Sequence, residues 1–354
     1  MKKAIIFLII VVNLAVLAAC GNSDSITVSD MPSTGQIYLY GEQHGVEKIM
    51  DKQLEIWHEY YHSENMRHLF VELPYYTAEF LNIWMKSDSD DILDELYNEW
   101  SGTDIHVSYT KVFYKTIKSE YAETIFHGTD VGHQHNSTGS RYLKYLENNG
   151  LKNSEQYLSA QRVIEQGKRF YRNADHEYRE NKMSENFIYE FDKLTDKDVM
   201  GIYGSAHIGF DAMNYITQSV PTMAAQLKAR YSDAVHAEDL SWLVLLTEHL
   251  KTDKITIGTK EYEALYFGEQ DITHFGLDFT KREFWRLENA YEDFKYNTLT
   301  GDKLPYHNYP MNIETAQVFV IDYTKKDGSV VRMYYRSDGN MWQGNPTTEE
   351  FGIE

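Results

Sequence analysis

This chain is predicted to be α/β: a mainly parallel sheet covered by helices on both faces, followed by a C-terminal helical and β-hairpin appendage. Three observations predict it. Short strand-forming runs alternate with long helical ones, the order that makes a parallel sheet with crossover helices. Two of the runs, 36–40 and 199–203, lead into the same Gly-x-x-His pattern, Gly41 to His44 and Gly204 to His207. Two others lead to carboxylates, Glu72 and Asp130. Parallel strands would bring all four polar ends to one sheet edge, where open α/β sheets form their ligand crevice.

Each element follows from its local pattern. The strand at 36–40 turns through glycine into a helix near 48–64, with Met50, Leu54 and Trp57 on one apolar face. Residues 68–72 read as a second strand stopped by Pro74. Helical periodicity marks 76–85, then 92–100 behind the capping run 87–91, then 109–121. A third strand, 124–126, leads through His127 to Asp130, while 151–193 has no proline and one glycine and reads as one or two long helices. The strand at 199–203 follows, then a helix from about Phe210. Beyond Val235 the spacing predicts helices at 240–250 and 281–295, the latter on a stripe of Phe284, Leu287, Tyr291 and Phe294. Runs 317–323 and 330–335 flank Asp327-Gly328, a hairpin signal. The organisation expected is a leader at 1–19, a tether at 20–35, an α/β domain at 36–235 and an appendage at 236–354.

The N-terminus predicts the compartment. Lys2 and Lys3 precede an apolar stretch too short for the ~20 residues of a spanning helix. Small residues then lead to Cys20, as in an export signal. The run Leu17-Ala18-Ala19-Cys20 resembles a bacterial lipobox, which implies lipidation of Cys20. The domain beyond is expected to be anchored by that lipid on the extracytoplasmic side of the cell membrane. Cys20 is the only cysteine, so a disulfide within the chain, a thiolate metal site and a cysteine nucleophile are all excluded. With 34 basic against 54 acidic side chains the chain is strongly acidic. That balance argues against nucleic acid, which needs a basic footprint, and against electrostatic adhesion to anionic lipid.

Four groups carry candidate chemistry. In Gly41-Glu42-Gln43-His44-Gly45 the glycines allow a sharp turn, and Glu42 and His44 share a side of an extended chain. Glu72 lies in an apolar context, where a carboxylate needs a cation or several donors. Asp130 ends its strand likewise, with His133 and His135 read as loop residues in solvent. Arg179, Met183 and Asn186 line one helical face, able to present a guanidinium and an amide to an acidic pocket. His58-Glu59-Tyr60-Tyr61-His62 matches H-E-x-x-H, but its helix packs on the sheet and no third ligand follows, so the match is read as accidental. A serine nucleophile is not expected, since no Gly-x-Ser-x-Gly occurs.

In their order these pieces resemble the erythromycin-esterase-like group: the Gly41–Gly45 motif, a strand ending in Glu72, Gly128-Thr129-Asp130, the helix with Arg179, Glu180, Met183 and Asn186, and Gly204-Ser205-Ala206-His207. The group belongs to a wider superfamily with Tiki/TraB-type metalloproteases and ChaN-type haem-binding lipoproteins. The resemblance covers about 36–235. The first motif is one residue shorter here, and Glu180 stands where the group commonly has Asp. By resemblance, Glu42, His44, Glu72, Arg179 and His207 match positions of the catalytic cleft. The residues leave two hydrolytic versions open for a small-molecule or peptide substrate. In one, His44 activates water and Arg179 or His207 steadies the oxyanion. In the other, His44, Glu72, Asp130 and His207 hold Mn, Fe, Co or Zn. Capture of haem or iron without catalysis is the alternative that the ChaN-type likeness implies.

Overall fold

The computed structural model describes residues 35–195, 197–246, 248–273, 278–342 and 345–353. The leader at 1–19, Cys20 and all but the last residue of the tether at 20–35 lie outside the described residues. No described helix is long and apolar enough to cross a membrane.

β1 (Ile37–Glu42), β2 (His68–Pro74), β3 (Ile125–Asp130), β4 (Val199–Gly204) and β5 (Val235–Asp239) form a parallel sheet in the order β3-β2-β4-β1-β5. The path from β1 to β2 steps over β4 in one direction, and the path from β4 to β5 steps over β1 in the other. The reversal opens a crevice at the C-terminal ends of β1 and β4. Glu42 is paired in register with Gly204 there. Both Gly-x-x-His turns therefore open onto the same gap.

Helices α1 (Glu47–Ser63), α2 (Tyr75–Met85), α3 (Asp91–Glu99), α4 (Ser108–Glu120), α5 (Ser140–Asn148), α6 (Glu155–Asn173), α7 (His176–Phe191) and α8 (Met223–Tyr231) pack around this sheet. Successive residues of β2 enter different apolar clusters, because strand side chains alternate in direction. Leu69 and Val71 join Trp57 of α1 and Leu81 of α2. Phe70 joins Phe187 and Phe191 of α7 and Leu227 of α8. The 151–193 segment resolves into two helices because Ala174 turns left-handed (φ 49°) and Asp175 then caps α7 by accepting from the Tyr178 amide at 2.9 Å. That break turns α7 so that Arg179 reaches the strand ends.

The second sheet departs from expectation. β6 (Lys251–Ile257), β7 (Lys260–Asp271), β8 (Phe279–Leu287), β9 (Leu299–Pro305), β10 (Gln317–Lys325), β11 (Val330–Ser337), β12 (Met341–Trp342) and β13 (Asn345–Phe351) make an eight-stranded sheet whose neighbours pair antiparallel. The hairpin expected around Asp327-Gly328 is β10–β11. The helix expected at 281–295 is instead β8 followed by the short α9 (Tyr291–Phe294). Phe284 and Leu287 are both buried but fall in different clusters; three residues apart on a strand, they face opposite ways. A strand buried on both sides thus imitates a helical stripe. The helix expected at 240–250 is a single 3-10 turn, Ser241–Val244. Leu240 is buried in the first core and Leu243 and Val244 pack against it, while the Leu246 amide bonds the Pro310 carbonyl at 2.6 Å. No helix starts at Phe210 either: α8 begins at Met223, capped by Thr222. The parallel sheet also runs past the expected boundary at 235, because β5 is a half-exposed edge strand with little apolar signal.

Phe187 is fully buried against Phe70 and Tyr203, so Phe187→Ala should cost about 3–5 kcal/mol in denaturant unfolding. Truncating exposed Ile125, at the start of β3, should change stability by under ~0.5 kcal/mol in the same assay.

Candidate active site

The site grows from the turn after β1. Gly45 has φ +74°, and a Cβ there would lie 2.2 Å from the Asp104 carbonyl oxygen, so only glycine allows this return into α1. The turn folds His44 back on Glu42: His44 Nδ1 donates to Glu42 Oε1 at 2.7 Å, and Gln53 of α1 donates to Glu42 Oε2 at 2.5 Å. A second pair of the same kind stands after β4. His207 Nδ1 donates to Glu180 Oε2 at 2.7 Å. Glu180 is itself fixed by the Met223 amide at 2.6 Å and the Asn214 amide side chain at 3.0 Å. Each imidazole therefore has Nδ1 committed to a carboxylate and Nε2 turned inward.

Glu72 lies where the two Nε2 atoms point. His207 Nε2 is 3.6 Å from Glu72 Oε1, and His44 Nε2 is 3.8 Å from Oε2. Oε1 accepts from Arg179 Nη2 at 2.5 Å, and Oε2 accepts from the Gly204 amide at 2.5 Å. A Cβ on Gly204 would come within 3.3 Å of both Glu72 Oε2 and His44 Nε2. The missing side chain at Gly204 leaves room for Glu72 and His44 to approach without crowding. Arg179 is held by Asp130, with Nη2 donating to Oδ2 at 2.6 Å and Nε to Oδ1 at 3.0 Å. Asp130 also accepts from the Val131 amide at 2.7 Å and from His133 Nε2 at 2.8 Å.

Burial and charge set the ionisation. Burial lowers the His44 pKa, but the hydrogen bond to Glu42 and the charge of Glu72 outweigh it and raise it to about 9. His207 is likewise pulled down by burial and pushed up further by Glu72 and Glu180. Burial raises the Glu72 pKa, yet the charges of His207, His44 and Arg179 bring it to about 2. Asp130, against burial, is held well below the ordinary carboxylate range by Arg179 and His133. At neutral pH Glu72 and Asp130 are thus ionised beside a guanidinium and a protonated His44, and His207 is biased toward its protonated form. The His44 contribution to stability is full below about pH 6.5, its unfolded value, and is lost as pH rises through about 9.

The five expected catalytic residues, Glu42, His44, Glu72, Arg179 and His207, are all brought together. Asn186 is not part of the pocket: its side chain bonds the Thr129 carbonyl and Gln166, tying α7 to β3 and α6. His133, expected in solvent, is bonded to Asp130 and Tyr171. Gln53 and Asn214 were not legible as site residues, and Glu180 was legible only as the acid of the helix motif, without a role. Glu180 did leave a signal, since it shares the buried stripe of α7 with Met183, Ser184 and Phe187. His58 and His62 contact each other and Tyr121 instead.

The expected ligands His44, Glu72, Asp130 and His207 do not make a metal cage. Arg179 holds Asp130 through both oxygens and Glu72 through one, so the guanidinium occupies the place a cation would take. Among the described residues no group of three or more His, Asp or Glu could hold a metal ion. Asp130 is thus taken up by Arg179 through both oxygens rather than left free as a ligand.

No protein-family model matches the chain, and no curated protein does. Solved structures similar to it include a Bacillus cereus protein (TM-score 0.43, 13% identity, 58% of this chain and 66% of that one). An erythromycin esterase mutant in its open conformation is similar at TM-score 0.45 and 11% identity over 58% of this chain and 69% of that one. ChaN of Campylobacter jejuni, solved with cofacial haem, is similar at TM-score 0.32 and 14% identity over 57% and 80%. The esterase-like and ChaN-type proteins of the sequence resemblance are thus among the structures similar to this chain, and the chain spans just under two thirds of the Bacillus cereus protein.

Glu42 is the first group to lift the His44 pKa. Replacing it by Gln should drop the His44 midpoint, read by NMR, below the parent's value of about 9, with the Glu72 charge still holding part of the rise.

Proposed function

We propose that the protein is a hydrolase of an ester or amide, anchored by a lipid on Cys20 at the extracytoplasmic face of a bacterial membrane. The observation that carries the catalytic part is the pair of carboxylate–imidazole couples, Glu42–His44 and Glu180–His207, with both Nε2 atoms turned to the one carboxylate of Glu72 at the sheet edge. The lipoprotein reading rests on the leader and Cys20 alone.

In this reading the two imidazoles divide the work. The His44 side chain is 31% exposed against 5% for His207, so His44 is the one within reach of a water molecule. In its neutral form His44 Nε2 takes the proton as the water oxygen adds to the carbonyl carbon, with Glu42 steadying the resulting imidazolium. His207, kept cationic by Glu72 and Glu180, faces the oxyanion. Collapse breaks the bond to the leaving oxygen or nitrogen, which takes the proton from His44. Acid and alcohol, or acid and amine, depart. Arg179 acts at one remove: its bonds to Asp130 and Glu72 keep Glu72 ionised and fixed between the imidazoles. It is a positioning residue.

Because His44 must shed its proton to serve as base, kcat/KM on a responsive ester should rise with pH and level off above about 9. His44→Ala should lower kcat by at least ~100-fold with the fold intact by circular dichroism, whereas His58→Ala should be indistinguishable from the parent. A parent chain that hydrolyses no ester or amide, yet develops a Soret band with haemin that His44→Ala abolishes, would replace this reading with haem capture.

A further inference from the structure

One cavity adjoins the base, and its walls differ from the rest of the site. Glu42, His44 and Glu72 share it with Met50, Val71, Leu73, Ile105 and Phe113. Its volume, about 50 Å³, corresponds to roughly three to five water-sized positions at ~10–15 Å³ each. That is space for a few heavy atoms in mainly apolar surroundings. Tyr114 also lines it, 7% exposed. Among the described residues no group exchanges a hydrogen bond with the Tyr114 hydroxyl, although its ring packs on Trp100, Phe113 and Phe126. The hydroxyl is not one of the buried atoms shut away without a partner; as a lining group of the cavity it is placed to donate to a ligand oxygen.

Resting on the hydrolase reading, we propose that this cavity is the acyl pocket. It selects esters of short, unbranched acids of two to four carbons, with the Tyr114 hydroxyl donating to the acyl carbonyl oxygen. The aliphatic wall matches a short alkyl chain, and Phe113 with Met50 limits its length. The alcohol part of the substrate stays outside, toward the exposed flank of His44. An added methylene that fits gains roughly 10- to 200-fold in an apolar pocket, while one that overfills it meets packed side chains and is rejected.

A series of 4-nitrophenyl esters from acetate to octanoate, given to the full-length chain and to its His44→Ala variant, tests this. The expected result is kcat/KM highest between acetate and butyrate and at least tenfold lower at octanoate. Met50→Ala should move the optimum at least two carbons longer. Ile105→Ala, at a half-buried position, serves the same purpose if the Met50 variant does not fold. Tyr114→Phe should lower kcat/KM at least tenfold on the preferred ester with an unchanged melting temperature. Activity that depends on His44 but is flat with chain length, or greatest at octanoate, and that neither cavity variant shifts, would overturn the acyl pocket and leave the hydrolase reading standing. No ester turnover above the His44→Ala background would remove the hydrolase reading and this inference with it.

Discussion

The ionised carboxylate of Glu72, buried between three cations, is the interaction on which the site depends. A lone carboxylate in that position would protonate rather than stay charged. Here Arg179, His44 and His207 reverse that preference and bring its pKa to about 2. The effect is mutual, because the same negative charge helps keep both imidazoles protonated. Removing any one member leaves the others as uncompensated buried charges, which is the expensive case. The cluster is therefore expected to behave as a unit.

The fold supplies the convergence. Glu72, Asp130, His44 and His207 come from four strand ends or the turns that follow them, and Arg179 and Glu180 are adjacent residues of α7. Adjacent residues on a helix point about 100° apart. One thus reaches Glu72 and Asp130 while the other reaches His207. The left-handed Ala174 and the Asp175 cap set the start of α7 and hence the aim of both. Close approach is eased because Gly204 presents no side chain to the centre.

Much of this was readable in the chain, for definite reasons. Parallel strands buried in an α/β core give short apolar runs bounded by glycine, so 36–40, 68–72 and 199–203 stood out, and their polar ends marked the site. Glu42 and His44 were legible as a pair from their two-residue spacing. Glu180 was less so, because its partner His207 is 27 positions away and no local pattern links them. The C-terminal sheet was misread where strands are buried on both sides: Phe284 and Leu287 carry a helix-like interval while facing opposite clusters. Leu240, Leu243 and Val244 misled in another way, since as a single 3-10 turn they pack on the first core without forming a helix of their own.

The mutual dependence of the charges can be observed directly. The imidazole titrations of His44 and His207 should be followed by nitrogen NMR in the parent chain and in Glu72→Gln. Both midpoints should fall together when the Glu72 charge is removed, His44 from about 9. If either midpoint stays where it was, the two imidazoles do not share Glu72, and the cluster described here is not one site.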